Sequence, residues 1–110
     1  MYYTYEATLT SIHDADTVTV TVDLGFDVTV KVTLRLLGLN APELATPEGK
    51  TARDALTALL PTGVRALRVV TVKREKYGRM LATIYIADQD VNAWLIAQGY
   101  AVPYFGHGAR

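Results

Sequence analysis

Period-two alternation of β-branched residues, sustained through two consecutive segments, narrows what this chain can fold into. From Thr17 to Leu24, the residues Val18, Val20, Val22 and Leu24 share one face, and Thr17, Thr19, Thr21 and Asp23 share the other. Gly25-Phe26-Asp27 then turns the chain, and Val28 to Leu37 repeats the pattern with Val28, Val30, Val32, Leu34 and Leu36 on one face. Strand side chains alternate between the two faces of a sheet, and valine and threonine suit a pleated surface better than a helix. Two strands joined by a turn are the consequence. A third segment, about Tyr3 to Ile12, alternates threonine and glutamate with tyrosine, alanine and leucine, and reads as a strand preceding them.

The period changes after Pro42. Thr46 suits an N-cap and Pro47 the first helical position, after which Ala52, Ala55, Leu56 and Leu59 recur at helical spacing. Lys50, Arg53, Asp54 and Thr57 fall on the outer face, and Pro61-Thr62-Gly63 stops the helix. Two more strands follow, about Arg65 to Lys73 and Leu81 to Ile86, joined by a charged loop around Gly78. A short helix from about Val91 to Gln98 turns Val91, Trp94 and Leu95 inward, with Gly99 as its C′ residue. The tail is aromatic from Tyr100 and is expected to fray over Gly106-His107-Gly108-Ala109-Arg110. Three strands, a helix, two strands and a helix give a mainly β (α+β) fold. That order is the arrangement of an OB-fold five-stranded barrel, although a small open sheet or another partly closed barrel has the same strand count.

The chain is 110 residues long and 50% hydrophobic, which suits a single domain with a real core. It has no cysteine, which excludes disulfides, thiolate zinc sites and a cysteine nucleophile. No apolar run approaches the roughly 20 residues of a membrane span, and Met1-Tyr2-Tyr3-Thr4 lacks the start of a signal peptide. The expected setting is the cytoplasm, or the outside of the cell for a processed form. The 11 basic and 11 acidic residues cancel, so the basic surplus of a nonspecific nucleic-acid binder is missing. Attraction to phosphate would have to be local, from Lys73, Arg74, Lys76 and Arg79, with Arg35 joining them; on its own that cluster reads better as a solvated hairpin tip.

Four short motifs carry the chemistry. In His13-Asp14-Ala15-Asp16-Thr17, Asp16 is in phase with Val18, Val20 and Val22, so its carboxylate faces inward at the barrel mouth and needs a cation or a partner. Turn and cap hydrogen bonds are the commoner use of such aspartates, and for this segment alone they are the stronger reading. Arg35 lies among leucines on the face opposite Val32, Leu34 and Leu36. It is either an outward arginine with its stem along the sheet or a planar fork that grips a phosphate, and the sequence divides these evenly. In Gly38-Leu39-Asn40-Ala41-Pro42-Glu43, proline keeps Ala41 extended. An amide oxygen, a backbone carbonyl and a carboxylate, the hard donors calcium prefers, follow within a few residues. An ordinary loop into a helix has the same composition. Lys76-Tyr77-Gly78-Arg79 suits a hairpin turn, with glycine free to take positive φ. His13 and His107 are too far apart in sequence to argue for an imidazole metal site, and Ser11 has no triad partners.

Taken together, Asp14-Ala15-Asp16-Thr17, Arg35-Leu36-Leu37-Gly38, Pro42-Glu43 and Lys76-Tyr77-Gly78-Arg79 resemble the staphylococcal nuclease (thermonuclease-like) family. Val91-Asn92 and Gln98-Gly99 fit the same pattern, so the resemblance runs from about Tyr5 to Tyr104. It implies an OB-fold barrel and calcium-dependent hydrolysis of DNA and RNA by a monomer, with single strands preferred and 3′-phosphate ends released. Carried over position by position, Asp16, Asn40 and the Ala41 backbone carbonyl would ligate Ca2+, with Asp14 behind them. Glu43 would act on the attacking water as general base or positioner, and Arg35 and Arg79 would grip the phosphate. Lys76 and Tyr77 would touch the substrate backbone, and Tyr104 or Phe105 would flank a base. Replacing Arg35 or Arg79 is expected to cut turnover with little effect on folding.

The sequence departs from the family pattern at three points. Asn40 stands where the best-known pattern has aspartate, which removes one negative charge and weakens calcium binding. The segment between Glu43 and Gly49 is short, and the family's C-terminal helix is expected to be missing after the tail. Modest substrate affinity and a steep loss with salt are expected. The competing reading is a catalytically silent module of the same fold that binds single strands or a protein partner. Retention of Asp16, Arg35, Glu43 and Arg79 together favours the enzyme. A third reading, a sugar- or protein-binding OB module, leaves the joint motif matches to coincidence.

Overall fold

The alternating segments become long strands that close on themselves. The structure is a computed structural model and describes residues 3–60, 62–63, 67–74 and 79–104, with the side chains of 73 and 74 outside the description. In chain order the elements are β1 (Tyr3–Asp14), β2 (Thr17–Asp23), β3 (Thr29–Leu36), β4 (Leu39–Asn40), α1 (Pro47–Leu59), β5 (Leu67–Arg74), β6 (Met80–Ile86), β7 (Gln89–Asp90), α2 (Val91–Ala97) and β8 (Val102–Pro103). The main sheet runs β3-β2-β1-β5-β6-β7, and β3 also pairs with β6. That last pairing is parallel, Leu34 with Met80, Arg35 with Leu81 and Leu36 with Ala82, and it closes a five-stranded barrel. The fold is the expected OB-type barrel, with α1 between its third and fourth strands and α2 after the fifth.

The apolar faces fill the barrel. Val18, Val20, Leu34, Val69, Ala82 and Ile84 are fully buried, and Leu56 of α1 and Val91 and Leu95 of α2 join the same core. Covering the ends with helices removes apolar area from water while closure leaves few free edges. Among the described residues no helix is long and apolar enough to cross a membrane.

Two features depart from the alternation. β1 extends beyond Ile12 to Asp14 because its pairing with β2 shifts register twice, between Leu9 and Ser11 and between Ile12 and Asp14. Such irregularities bend a strand and interrupt its period, which is why the pattern in sequence stops early. The expected apolar face of β3 is only half buried as well. Val28 and Val30 are exposed, as are Leu24 and Phe26 at the tip of the β2–β3 hairpin. The cause is coverage: β6 meets β3 only from Leu34 to Leu36, so the outer half of β3 projects past the closed barrel.

Local chemistry sets the helix limits. Thr46 is extended (φ −91, ψ 155), its side chain accepts from the Gly49 amide, and Pro47 opens α1. Asp90 caps α2 by accepting from the Ala93 amide, and Gly99 takes φ +80 just beyond its end. Asn92, on the first turn of α2, is buried. Its amide nitrogen donates to the Leu37 and Ala82 carbonyls at 3.0 Å each, and its oxygen accepts from Ile84 N at 3.2 Å. α2 is thereby stitched to β6 and to the end of β3, where the candidate site begins.

Candidate functional site

The site is built at the mouth of the barrel from three chain segments. Ala15 and Asp16 form the turn between β1 and β2, and Asp14 pairs with Thr17 across it. Asp14 Oδ1 accepts from the Asp16 amide at 3.3 Å, the turn bond expected of it. Asp16 goes further. Its residue is fully buried (0% exposed), so its carboxylate requires partners. Oδ1 accepts from Thr17 Oγ1 at 3.1 Å, Oδ2 accepts from the Ala41 amide at 2.9 Å, and Arg35 Nη1 lies 3.5 Å from Oδ2.

Arg35 is only 7% exposed, which overturns the picture of an outward arginine lying along the sheet. It does sit on the face opposite Leu34 and Leu36, but here that face is covered by the β1–β2 turn and by β4. Nη1 donates to the carbonyls of Asp16 at 3.4 Å and Leu36 at 3.3 Å, and Nη2 donates to Asn40 Oδ1. The Leu36 amide also donates to the Asp16 carbonyl at 2.8 Å. A guanidinium in this position neutralises a buried carboxylate while its planar fork meets several acceptors at once.

Asn40 and Ala41 arrive through a turn at Gly38, whose φ of +85 favours glycine. β4 pairs with β8, Leu39 with Pro103 and Asn40 with Val102, and the Tyr104 amide donates to the Gly38 carbonyl at 2.9 Å. Tyr104 is thus tied to the neck of the segment bearing Asn40, and its residue is half-buried. Beside the cluster lies a cavity of about 260 Å³ lined by Asn40, Ala41, Pro42, Tyr100 and Val102, among others. Glu43 is exposed and follows Ala41 by two residues, so about 7 Å of backbone at most separates their Cα atoms.

Arg79, half-buried, joins from just before β6: its Nη1 donates to Thr17 Oγ1 at 3.4 Å. Thr17 therefore connects Arg79 to the Asp16 carboxylate, a link the motif reading passed over although threonine directly follows Asp16. Asp16, Arg35, Asn40 and Ala41 are brought into contact, and Arg79 stands one hydroxyl away. Lys76, Tyr77 and Phe105, along with the tail, lie outside the described residues.

Among the described residues no three or more His, Cys, Asp or Glu side chains gather as a metal cluster. The donors that do converge are one carboxylate, from Asp16, and the amide oxygen of Asn40, both engaging Arg35. With the Ala41 carbonyl next in sequence, these are hard oxygen donors of the kind calcium takes. A cation taken up by one carboxylate among neutral oxygens would be held loosely and would share these oxygens with Arg35.

Comparison with known proteins bears on the family to which the chain belongs. Residues 33–110 match the family model described as staphylococcal nuclease homologue. A probable staphylococcal-like nuclease of Oryza sativa subsp. japonica, CAN1, is 32% identical over 80 residues, covering 73% of this chain and 24% of that protein. The staphylococcal-like nuclease CAN1 of Arabidopsis thaliana is 30% identical over 80 residues, with the same coverage of 73% and 24%. An uncharacterized endonuclease of Escherichia coli O157:H7 is 30% identical over 92 residues, covering 83% of this chain and 56% of that protein. The chain spans about a quarter of the length of the plant relatives it matches. Its fold, its motif residues and its match over residues 33–110 make this chain a member of the staphylococcal nuclease homologue family.

Proposed function

We propose that this chain is a calcium-dependent phosphodiesterase that hydrolyses DNA and RNA as a monomer, preferring single strands and leaving 3′-phosphate ends. The observation that carries the reading is the meeting of Asp16, Arg35 and Asn40 in one buried cluster, with Arg79 joined to it through Thr17. Asp16, Asn40 and the Ala41 carbonyl would hold calcium, which when bound polarises the phosphate and stabilises charge on its oxygens. Asp14 supports this donor set through its hydrogen bond from the Asp16 amide. Glu43 positions or deprotonates a water whose oxygen attacks phosphorus. The bond from phosphorus to the 5′-oxygen breaks, the phosphate stays on the 3′ side, and the leaving oxygen takes up a proton. Arg35 and Arg79 offset the charge that builds at phosphorus, usually the dominant contribution in such reactions. Lys76 and Tyr77 would touch the substrate backbone, and Tyr104 would flank a base.

The test is cleavage of a single-stranded oligonucleotide with calcium, with EDTA, and by Glu43→Gln. Calcium-dependent cleavage that EDTA abolishes, and that Glu43→Gln slows by about 10² or more, is expected. Binding without cleavage at every calcium concentration would replace this reading with the silent single-strand-binding module.

A further inference from the structure

Gly49 sits in ordinary helical backbone at the third position of α1, where alanine has the higher intrinsic propensity. The reason for glycine is space. A Cβ at this position would overlap the Glu43 carbonyl and would lie 2.9 Å from Leu44 Cα. The same carbonyl accepts from Thr46 N at 3.0 Å and from Thr46 Oγ1 at 2.7 Å. Thr46 Oγ1 in turn accepts from Gly49 N at 3.0 Å, so the hydroxyl is used both as donor and as acceptor. The loop after Ala41 is therefore folded back onto the first turn of α1 and locked there by one hydroxyl and one missing side chain. Glu43 itself is exposed, so it is held by its backbone and not by burial in the core.

We infer that Thr46 and Gly49 are positioning residues that set where Glu43 presents its carboxylate to the cluster of Asp16, Arg35 and Asn40. The inference rests on the role given to Glu43 above. It assigns a function to the short connection into α1, where helix capping and the control of Glu43 share the same atoms. A shift of the Glu43 carbonyl to relieve a new Cβ would carry the carboxylate with it. Displacements near 1 Å can cost an active site about 10² in rate.

The test compares Gly49→Ala, Thr46→Val and Thr46→Ser with the wild type, each well below its unfolding midpoint. Gly49→Ala and Thr46→Val are expected to lower kcat on a single-stranded oligonucleotide by about ten-fold or more, with KM and calcium affinity within about two-fold. Thr46→Ser, which keeps the hydroxyl, is expected to retain the wild-type rate. In a Glu43→Gln background, Gly49→Ala should have no further effect, because the group it displaces is already gone. An undiminished kcat for Gly49→Ala, or an equal loss with and without Glu43, would overturn the inference. If Gly49→Ala does not fold, Thr46→Val and Thr46→Ser carry the comparison. Amide resonances of Glu43 and Leu44 give a readout independent of catalysis. They should shift in Gly49→Ala even if the wild type proves not to cleave, and unshifted resonances would overturn the inference whatever the activity.

Discussion

Asp16 and Arg35 illustrate how a buried charge pair is both a structural constraint and a chemical resource. Removing one partner leaves the other charged and out of water, which is costlier than losing a surface pair. Arg35→Ala is therefore expected to destabilise the calcium-free protein by about 3 kcal/mol in urea denaturation, as well as lowering turnover by orders of magnitude. This revises the expectation that the substitution would spare folding, since burial at position 35 is not visible in an alternating strand. Arg79→Ala, at a half-buried position, should lower turnover comparably while changing stability by less than about 1 kcal/mol. Wild-type turnover in either variant would remove the phosphate-gripping role. Asn40→Asp should tighten calcium by about ten-fold in titration calorimetry, because a second carboxylate joins Asp16; unchanged or weaker binding would contradict the ligand assignment. Asp16 reads in sequence as strand-borne and in phase with Val18 and Val20, whereas it is buried in the β1–β2 turn just before β2 begins at Thr17. The use of Thr17 to link Arg79 was not legible in sequence, because it depends on β6 closing against β3.

At the scale of elements, helix ends were easier to read than strand ends. Thr46-Pro47 and Gly99 mark their boundaries through backbone chemistry that acts within a few residues. The limits of β1 and β3 depend on partners distant in sequence: two register shifts carry β1 on to Asp14, and a short pairing with β6 leaves Val28 and Val30 outside the core. Asn92 matches as a motif residue, but its burial was not legible, since the helical pattern turns only Val91, Trp94 and Leu95 inward. Its three hydrogen bonds hold α2 to β6 and to the Leu37 carbonyl just before Gly38. Asn92→Ala is expected to lower stability by about 2–3 kcal/mol in denaturant titration, because buried backbone groups lose a partner. A change below about 0.5 kcal/mol would show that the stitch contributes nothing.

For the whole molecule, the barrel was legible because β-branched alternation and helix placement are properties of the sequence itself. The site was legible as motifs and not as contacts. Folding decides that the β1–β2 turn, the end of β3 and the exit through Asn40 and Ala41 converge, and that Glu43 is carried on a loop braced by α1. With no net charge, the proposed activity would rely on this convergence and not on a general attraction for phosphate. Calcium binding and single-strand cleavage by wild type and Asp16→Asn, measured side by side, examine that convergence most directly. Weaker calcium binding and a loss of cleavage of about 10² or more in Asp16→Asn are expected. Cleavage by Asp16→Asn at the wild-type rate, or calcium bound equally well by both, would contradict the assignment.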